Sequence, residues 1–264
     1  MKNLKEKVVW ITGASSGIGE ALAYALAKEG AYLVLSARDA DKLETVKARC
    51  LQVTSKCWVQ PVDLTDIARL DQLVTTVLEQ AGQIDVLVNN AGRSQRSLAR
   101  ETPLQNDRSI MEINFFSVVA LTKLVLPHLL KRQSGHLVVI SSVTGKFGVP
   151  MRTAYSASKH ALQGFFEALR AELANENITV TIVSPGRIKT NISRNALTKD
   201  GQSYNKMDPG QANGVSAERC ADRIVHAIKK DKKELFVGKK EILMVYIRRF
   251  LPALFYQLIT KVEN

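Results

Sequence analysis

Tyr155 and Lys159 are the two side chains whose types and spacing best suit proton transfer in this sequence. A spacing of four residues puts the phenol and the ammonium on one face of a helix, about one turn apart. The positive charge would stabilise phenolate and lower the phenol pKa from its usual value of about 10. Ser142 lies thirteen residues upstream, at the end of an apolar run. Because a Tyr and a Lys often share this spacing by chance, the elements that position them must supply further evidence.

Short apolar runs alternate with segments of helical periodicity along the chain. The predicted strands are 8–11, 32–35, 58–62, 86–88, 137–140, 180–183 and 235–237. The predicted helices are 20–28, 41–50, 70–80, 109–130, 157–174 and 217–229. Nearly continuous apolar strands joined by helical crossovers predict a doubly wound, Rossmann-type α/β fold, with a seven-stranded parallel sheet and helices on both faces. In such a fold the ligand site lies at the carboxyl ends of the strands.

The composition predicts one globular domain with an excess of positive charge. The 264 residues are 45% hydrophobic and 23% charged, and since no linker-like stretch divides them we expect a single domain over 1–264. Lys and Arg total 37 against 25 acidic residues, a net charge of +12. Nucleic acid, anionic lipid, an acidic protein and a phosphate-bearing cofactor are all compatible with this charge. Because no zinc-finger spacing or aromatic-rich RNA-binding motif accompanies it, nucleic-acid binding is not expected.

The cysteines, histidines and first residues predict a cytoplasmic protein without a metal site. The three cysteines lack a CxxC spacing and the four histidines are scattered, which indicates reduced thiols and no metal centre. The charged segment 1–7 leads into an apolar run of five residues, too short for the apolar part of a signal peptide. A cytoplasmic location, with membrane association left open, is therefore expected.

A glycine-rich turn follows the first predicted strand and precedes a helix. Glycines at 13, 17 and 19 allow a tight turn and a close approach of backbone to a pyrophosphate, while the helix N-terminus supplies free N–H groups. Their spacing differs from the GxGxxG form, and a turn without any ligand is the alternative. The candidate pyrophosphate-binding residues are Gly13, Ser15, Ser16, Gly17, Ile18 and Gly19.

Arg38 stands at the end of the second predicted strand, where a carboxylate would select an unphosphorylated dinucleotide. A guanidinium there suits a 2′-phosphate instead, which favours NADP(H) over NAD(H) as the cofactor. Asp39 and Asp41 follow closely, so an ordinary surface salt bridge with Arg38 is the alternative.

Taken together and in this order, the motifs of the chain resemble those of the short-chain dehydrogenase/reductase family. The resemblance runs from about Lys7 to Thr190. Each motif alone could be a turn, a polar helix residue or a loop, but their joint occurrence at these spacings is specific. The motifs are the glycine-rich turn, Asn89-Asn90-Ala91-Gly92, Asn114, Ser142, Tyr155 with Lys159, and Pro185-Gly186.

The resemblance implies a dissociable nicotinamide dinucleotide and assigns residues to each part of it. The turn from Gly13 to Gly19 would hold the pyrophosphate, and Lys159 would also bind the nicotinamide ribose beside Tyr155. The residues bordering the adenine would be Asp63 and Leu64. Those lining the ribose side would be Asn90, Ala91 and Gly92. Those meeting the nicotinamide would be Pro185, Gly186, Ile188 and Thr190.

The resemblance also implies the catalytic set Asn114, Ser142, Tyr155 and Lys159. In carbonyl reduction Tyr155 would donate a proton to the developing alkoxide, and Ser142 would hydrogen-bond that oxygen. Asn114 would help to hold a water that connects Lys159 to solvent, and alcohol oxidation would reverse the path. Family members commonly pair through the helices at 109–130 and 157–174, so a homodimer or homotetramer is implied.

No motif identifies the residues that would bind the substrate. The loop 93–100 carries three arginines, and the segment 191–215 contains Arg194, Lys199 and Lys206. A basic mouth for an anionic or carrier-bound substrate and solvated loop charges are both compatible with this pattern.

The tail at 239–264 is rich in large apolar side chains and is preceded by basic pairs. Arg248, Arg249 and Pro252 interrupt the apolar run from 242 to 262, which argues against a buried membrane span. A helix on a membrane surface, a cap over the substrate cleft and a subunit interface remain open. The extension resembles those of family members acting on lipid-like, steroid or retinoid substrates, which favours an apolar or lipid-like substrate. A 3-ketoacyl-carrier-protein reductase and a non-enzymatic dinucleotide-binding scaffold or sensor are the alternatives.

Overall fold

A parallel sheet of seven strands forms the centre of the computed structural model, which describes residues 1–261. The strands of this sheet are β1 (Val8–Thr12), β2 (Tyr32–Ala37), β3 (Cys57–Pro61), β4 (Val86–Asn89), β5 (Gly135–Ile140), β6 (Ile178–Pro185) and β9 (Glu234–Val237). A short separate pair consists of β7 (Ile188–Lys189) and β8 (Val215–Ser216). The order in the sheet is β3-β2-β1-β4-β5-β6-β9, with every neighbouring pair parallel. From β1 the next strands along the chain are added on one side, and from β4 onward they are added on the other side. The switch point between β1 and β4 is where such sheets bind ligands.

Helices cover both faces of the sheet, and the strand residues alternate between two apolar cores. The helices are α1 (Gly17–Lys28), α2 (Ala40–Cys50), α3 (Leu70–Ala81), α4 (Leu104–Met111), α5 (Ser117–Arg132), α6 (Thr153–Glu172), α7 (Pro209–Ala212), α8 (Ala217–Lys229), α9 (Leu243–Phe250) and α10 (Pro252–Ile259). One core packs β1 side chains such as Ile11 against α1, α2 and α8, and the other packs Trp10 against α3, α5 and α6. The predicted fold class and the seven predicted strands are confirmed.

The helix bounds differ from the sequence prediction mainly at three helices. The helix predicted at 20–28 begins three residues earlier, at Gly17. The helix predicted at 157–174 begins four residues earlier, at Thr153. The helix predicted at 109–130 is longer, because α4 and α5 join through a π turn at Glu112–Phe116. A π turn inserts one residue into the helical repeat and often marks a functional position.

Among residues 1–261, one helix is long and apolar enough to cross a membrane by length and composition, Leu104–Arg132. This is weak evidence for membrane association, since core helices pass the same test, and Leu121, Val125 and Leu129 of this helix lie in a core.

The tail folds back onto the domain as two short helices rather than one. Pro252 occupies the first position of α10, where its missing N–H costs nothing, and it separates α10 from α9. Phe255 is buried against Val143, Phe147 and Val149, the segment that directly follows Ser142. A membrane-surface helix, a cap over the substrate cleft and a subunit interface all remain predictions for the tail. Residues 262–264 of the predicted tail lie outside the described residues.

Candidate active site

The glycine-rich turn lies at the end of β1 and is held closed by Asn90. The Nδ2 of Asn90 donates hydrogen bonds to the carbonyls of Thr12, at 2.9 Å, and Gly13, at 3.1 Å. A Cβ at position 19 would lie 2.2 Å from the Gly13 carbonyl oxygen and 2.5 Å from Asn90 Nδ2, so only glycine fits there. Gly13 itself has a φ of +64°, which glycine adopts without strain.

The N-terminus of α1 opens from this turn with free donors. Ser16 precedes the helix but makes no side-chain hydrogen bond to it, and its side chain is exposed. Ser15, Gly17 and Ile18 are half-buried beside it. The first N–H groups of a twelve-residue helix therefore face outward, with the positive end of the helix dipole, as a pyrophosphate requires.

Arg38 is exposed just beyond the end of β2, and it does not pair with the aspartates that follow it. The carboxylate of Asp39 begins α2 by accepting from the Lys42 N–H at 3.1 Å, and it pairs with the Lys42 ammonium at 2.6 Å. Within residues 1–261 Arg38 makes no ion pair. The surface salt bridge that the sequence left open is thus absent, and the guanidinium is free to meet a phosphate.

The remaining cofactor candidates lie at the carboxyl ends of neighbouring strands. Leu64 is buried and Asp63 is exposed after β3. Burial raises the Asp63 pKa, but hydrogen bonds from Thr65 and the charge of Arg38 outweigh it, so the pKa lies below its usual value. Asn90, Ala91 and Gly92 follow β4. Pro185 ends β6, Gly186 follows it, Ile188 is buried in β7, and the Thr190 hydroxyl donates to the Ile188 carbonyl at 3.4 Å.

Tyr155 and Lys159 lie on one face of α6, as their spacing predicts. Their exposed fractions are 8% and 4%, and the ammonium is 5.8 Å from the centre of the Tyr155 ring. Lys159 Nζ donates to the Ile140 carbonyl at the end of β5, at 2.9 Å. This is its one hydrogen bond within the described chain, so further donors are free for hydroxyls of a bound ribose.

The pKa of Tyr155 differs from the sequence expectation. Burial raises it above the usual value, and this effect exceeds the lowering by a hydrogen bond with Ser142 and by the charges of Arg152 and Arg96. Burial also lowers the pKa of Lys159, to about 8. The predicted lowering of the phenol pKa by Lys159 is therefore wrong for the protein without ligands, because both groups are removed from water and the charged form of each is penalised.

Asn114 lies in the π turn, where its side chain joins the β4 loop to α6. The Oδ1 accepts from the Arg93 N–H at 2.8 Å, and the Nδ2 donates to the Arg93 carbonyl at 2.9 Å and to Ser158 Oγ at 3.0 Å. A Cβ at Gly92 would lie 3.0 Å from Asn114 Oδ1 and 3.6 Å from Lys159 Nζ. The three positions are thus in close contact beneath the predicted ribose site.

Ser142 lies two residues after the end of β5 and caps a short 3₁₀ turn, Val143–Gly145. Its Oγ accepts from the Thr144 N–H at 3.2 Å and donates to the Pro185 carbonyl at 3.3 Å. The Ser142 hydroxyl also lowers the pKa of Tyr155, so the two hydroxyls lie close to each other. The structure therefore brings Ser142, Tyr155 and Lys159 to one point, next to the end of β6.

Gln95 and Glu241 hold this site in place, and the sequence analysis missed both. Gln95 Oε1 accepts from the N–H groups of Ala154, at 2.9 Å, and Tyr155, at 3.4 Å, so it caps α6. Glu241, at the start of the tail, accepts from the Arg187 N–H at 2.7 Å. A polar residue in the loop after Gly92 was the one available signal for Gln95; no local pattern indicates Glu241.

Apolar residues from α4 and from the predicted substrate segment 191–215 pack against Tyr155. The ring packs with Ile110 and Leu197, and Leu197 belongs to the predicted substrate segment 191–215. Arg194, Lys199 and Lys206 are exposed, whereas Arg96 is buried. A concavity of about 570 Å³ borders Ser16, Gly17 and Thr190 rather than Tyr155.

No group of three or more His, Cys, Asp or Glu side chains within residues 1–261 could hold a metal ion. Cys50, Cys57 and Cys220 are free and buried. The polar groups at the strand ends and the glycine cradle that a Cβ would fill suit a nicotinamide dinucleotide.

Comparison with known proteins gives consistent matches over nearly the whole chain. A family model described as short chain dehydrogenase matches residues 7–201. A Drosophila melanogaster protein, Dehydrogenase/reductase SDR family protein 7-like, is 43% identical, covering 98% of this chain and 81% of its own. Human Dehydrogenase/reductase SDR family member 7 is 41% identical, covering 95% and 76%.

Solved structures agree with the fold. A short-chain dehydrogenase from Streptomyces avermitilis superposes with a TM-score of 0.81 at 30% identity, covering 96% of each chain. An alcohol dehydrogenase from Thermococcus sibiricus, complexed with 5-hydroxy-NADP, has a TM-score of 0.77 at 26% identity, covering 89% of this chain and 97% of that one.

Proposed function

Because the chain belongs to the short-chain dehydrogenase/reductase family of oxidoreductases, we propose that it transfers a hydride between NADP(H) and a carbonyl or secondary alcohol of a largely apolar substrate. The observation that carries this proposal is the convergence of Ser142, Tyr155 and Lys159 at the carboxyl edge of the sheet, beside the glycine-rich turn. We further propose that residues 1–264 act as one catalytic domain, since both cores share the same sheet.

The mechanism follows from what each side chain can do. A bound NADP(H) supplies or accepts the hydride. Tyr155, kept protonated by its burial, donates a proton to the carbonyl oxygen as it gains negative charge, while the Ser142 hydroxyl hydrogen-bonds the same oxygen. Lys159 binds the nicotinamide ribose with its free donors and restores the phenol proton. Asn114 keeps the β4 loop and α6 in register.

The preference for NADP(H) over NAD(H) rests on Arg38. Its guanidinium is exposed at the end of β2 without an ion pair in the described chain, and its charge reaches Arg93, whose pKa is lowered first by burial and then by Arg38. Two neighbouring guanidinium groups favour the additional phosphate. The wider family uses either form of the cofactor, and these two residues are the support for proposing NADP(H) here.

An apolar substrate is favoured by the position of the tail. Phe255 packs on the segment after Ser142, with its ring centre 5.5 Å from that of Phe147. The tail thereby places apolar side chains beside the site. A 3-ketoacyl group on a carrier protein is the second candidate, favoured by the exposed Arg194, Lys199 and Lys206 near the entrance.

We propose a cytoplasmic homodimer or homotetramer that contacts membranes peripherally. Phe116 and Leu104, on the predicted pairing helix, are 50% and 64% exposed. Leu243, Phe250 and Leu251 of the tail are 59%, 72% and 56% exposed beside basic residues. Light scattering measures the oligomeric state, and flotation with anionic vesicles measures membrane contact; a monomer, or no flotation at low salt, would contradict the respective proposal.

The direct test of the function is NADPH oxidation against a panel of carbonyl compounds. The panel contains 3-ketoacyl thioesters, steroid ketones, retinal and small aldehydes, with NADH measured in parallel. We expect turnover of apolar carbonyls with NADPH preferred. Turnover restricted to carrier-bound 3-ketoacyl groups would support the second candidate, and no turnover with either cofactor would contradict the proposed function.

A further inference from the structure

A buried cluster of two arginines and one aspartate lies beside Tyr155, outside the residues assigned above. The side chains of Arg96, Arg152 and Asp208 are 2%, 17% and 6% exposed. Arg96 forms a forked ion pair with Asp208, with Nε 3.1 Å from Oδ2, and Arg152 reaches the same oxygen at 3.2 Å. Asp208 comes from the segment 191–215 that covers the site, whereas Arg152 directly precedes α6.

The cluster has more positive charge and more donors than its own residues satisfy. Arg96 donates to Asp208, to Ser94 Oγ at 2.8 Å and to the Gln95 carbonyl at 2.6 Å. Arg152 makes its one hydrogen bond with Asp208, and its buried Nε has no acceptor within residues 1–261. Because a buried N–H without an acceptor is costly, the Nε of Arg152 indicates an acceptor that the described part of the chain does not supply.

Ser156 provides a second, independent indication. Its side chain is 5% exposed, and its Oγ has no hydrogen-bond partner in the described part of the chain. Ser156 lies four residues after Arg152, about one helical turn further along, so these two positions share one side of the start of α6. Tyr155 lies about 100° around the helix from Ser156. A hydroxyl and a guanidinium together match the oxygens of a carboxylate or phosphate.

The cluster is near enough to the reacting group to act on the same ligand. Arg152 precedes Tyr155 by three residues, a rise of about 4.5 Å along the helix. The charges of Arg152 and Arg96 both lower the Tyr155 pKa, against the larger effect of burial. Burial lowers the Arg152 pKa to about 10, so the guanidinium stays charged at neutral pH.

We propose that Arg152 and Ser156 form a subsite for an anionic group, a carboxylate or phosphate, carried by the substrate a few bonds from its reacting carbonyl. The inference rests on the proposed function and narrows its substrate to an anionic, partly apolar carbonyl compound. Arg96 has a different role: it neutralises Asp208 and so secures the covering segment to the subsite.

Pairs of carbonyl compounds that differ in one charge test this subsite. The carboxylate pair is 4-oxopentanoate and its methyl ester, and the phosphate pair is glyceraldehyde 3-phosphate and glyceraldehyde. We expect kcat/KM with NADPH to favour the anionic member of at least one pair by about 10- to 100-fold, the effect of one or two hydrogen bonds to a charged group. The pair with the larger ratio identifies the anion.

Arg152→Gln should remove that preference through KM: kcat/KM for the anionic member should fall to that of the neutral member, beyond any change common to both that follows from losing a charge near Tyr155. Arg152→Lys, which keeps the charge, should retain part of the preference for the anionic member. Arg100→Gln is the matched control, since Arg100 is 81% exposed on the same loop as Arg96. Equal losses for charged and neutral members, or no preference in the wild-type protein, would overturn the subsite.

Thermal unfolding with 4-oxopentanoate and without NADPH separates this inference from the proposed function. Stabilisation by the carboxylate, absent with the ester and lost in Arg152→Gln, would support the subsite even if no carbonyl were reduced. If neutral carbonyls are reduced but the anionic members show neither a larger thermal stabilisation nor a higher kcat/KM, the subsite is overturned while the proposed function stands.

Discussion

The ammonium of Lys159 lies 5.8 Å from the centre of the Tyr155 ring, with both side chains buried on one face of α6. Burial changes their two pKa values in opposite directions: it raises that of Tyr155 and lowers that of Lys159 to about 8. The phenol therefore holds its proton at neutral pH, as a general acid for carbonyl reduction must, and the lysine readily exchanges its own.

We expect the buried charge of Lys159 to cost stability at neutral pH. Its pKa is about 8 in the folded protein and about 10.5 when unfolded, so the unfolded chain binds more protons between these values and stability rises with pH there. The difference corresponds to about 3 kcal/mol. Relative to the wild-type protein, Lys159→Met should gain unfolding free energy at pH 7 and lose most of that advantage by pH 10. Urea unfolding at several pH values measures the difference in unfolding free energy between the variant and the wild-type protein. A difference that does not change with pH would contradict a lowered pKa of Lys159.

Arg38→Ala should weaken NADPH binding much more than NADH binding. One charge-assisted contact to the 2′-phosphate corresponds to about 10- to 100-fold in Kd. Fluorescence titration of both dinucleotides measures the ratio, and Lys123→Ala, which removes an exposed charge from α5, is the control. Equal losses for the two cofactors would dismiss the phosphate contact.

Ser142→Ala and Ser141→Ala form a matched pair of neighbouring hydroxyl deletions. Ser142 bonds with Tyr155, so its loss should lower kcat by about 100-fold or more with cofactor affinity unchanged. Ser141 Oγ donates to the Lys159 carbonyl at 3.1 Å, so its loss should cost about 1 kcal/mol of stability and little activity. Steady-state kinetics and urea unfolding distinguish them; equal effects on kcat would contradict a specific role for Ser142.

Phe255→Ala should release the tail from the site. Phe255 is 3% exposed, and the loss of such a side chain from its apolar contacts costs about 3 to 5 kcal/mol when the site does not collapse. We expect faster proteolysis of α9 and α10 and a higher KM for apolar carbonyls. Tyr256→Ala is the control, because that ring is 58% exposed. An unchanged KM with a released tail would show that the tail does not contact substrate.

The seven strands could be predicted because each is a short apolar run bounded by polar residues, and burial on both faces leaves that pattern visible. The π turn could not, because it depends on tertiary contacts: the Asn114 side chain bonds both backbone groups of Arg93 and also Ser158. The interruption of the tail at Pro252 could be predicted from the sequence, because proline favours the first position of a helix, and α10 begins there.

The residues of the candidate site likewise differ in how well the sequence predicts them. Residues within continuous motifs were placed at the strand ends as expected, while the partners that act on them come from distant segments. Arg96 and Asp208 are 112 residues apart, so no local pattern distinguishes a buried ion pair from a solvated charge. The sign of the Tyr155 pKa change likewise depends on Ile110 and Leu197, which exclude water from the phenol.

Tyr155→Phe tests the proposed proton transfer most directly. With a carbonyl that the wild-type protein reduces, we expect an NADPH Kd within about twofold of wild type and a kcat lower by about 100- to 10,000-fold, because the proton donor alone is removed. Tyr246→Phe, at a ring that is 50% exposed, should leave both values unchanged. Turnover of Tyr155→Phe near the wild-type rate would contradict the proposed proton transfer.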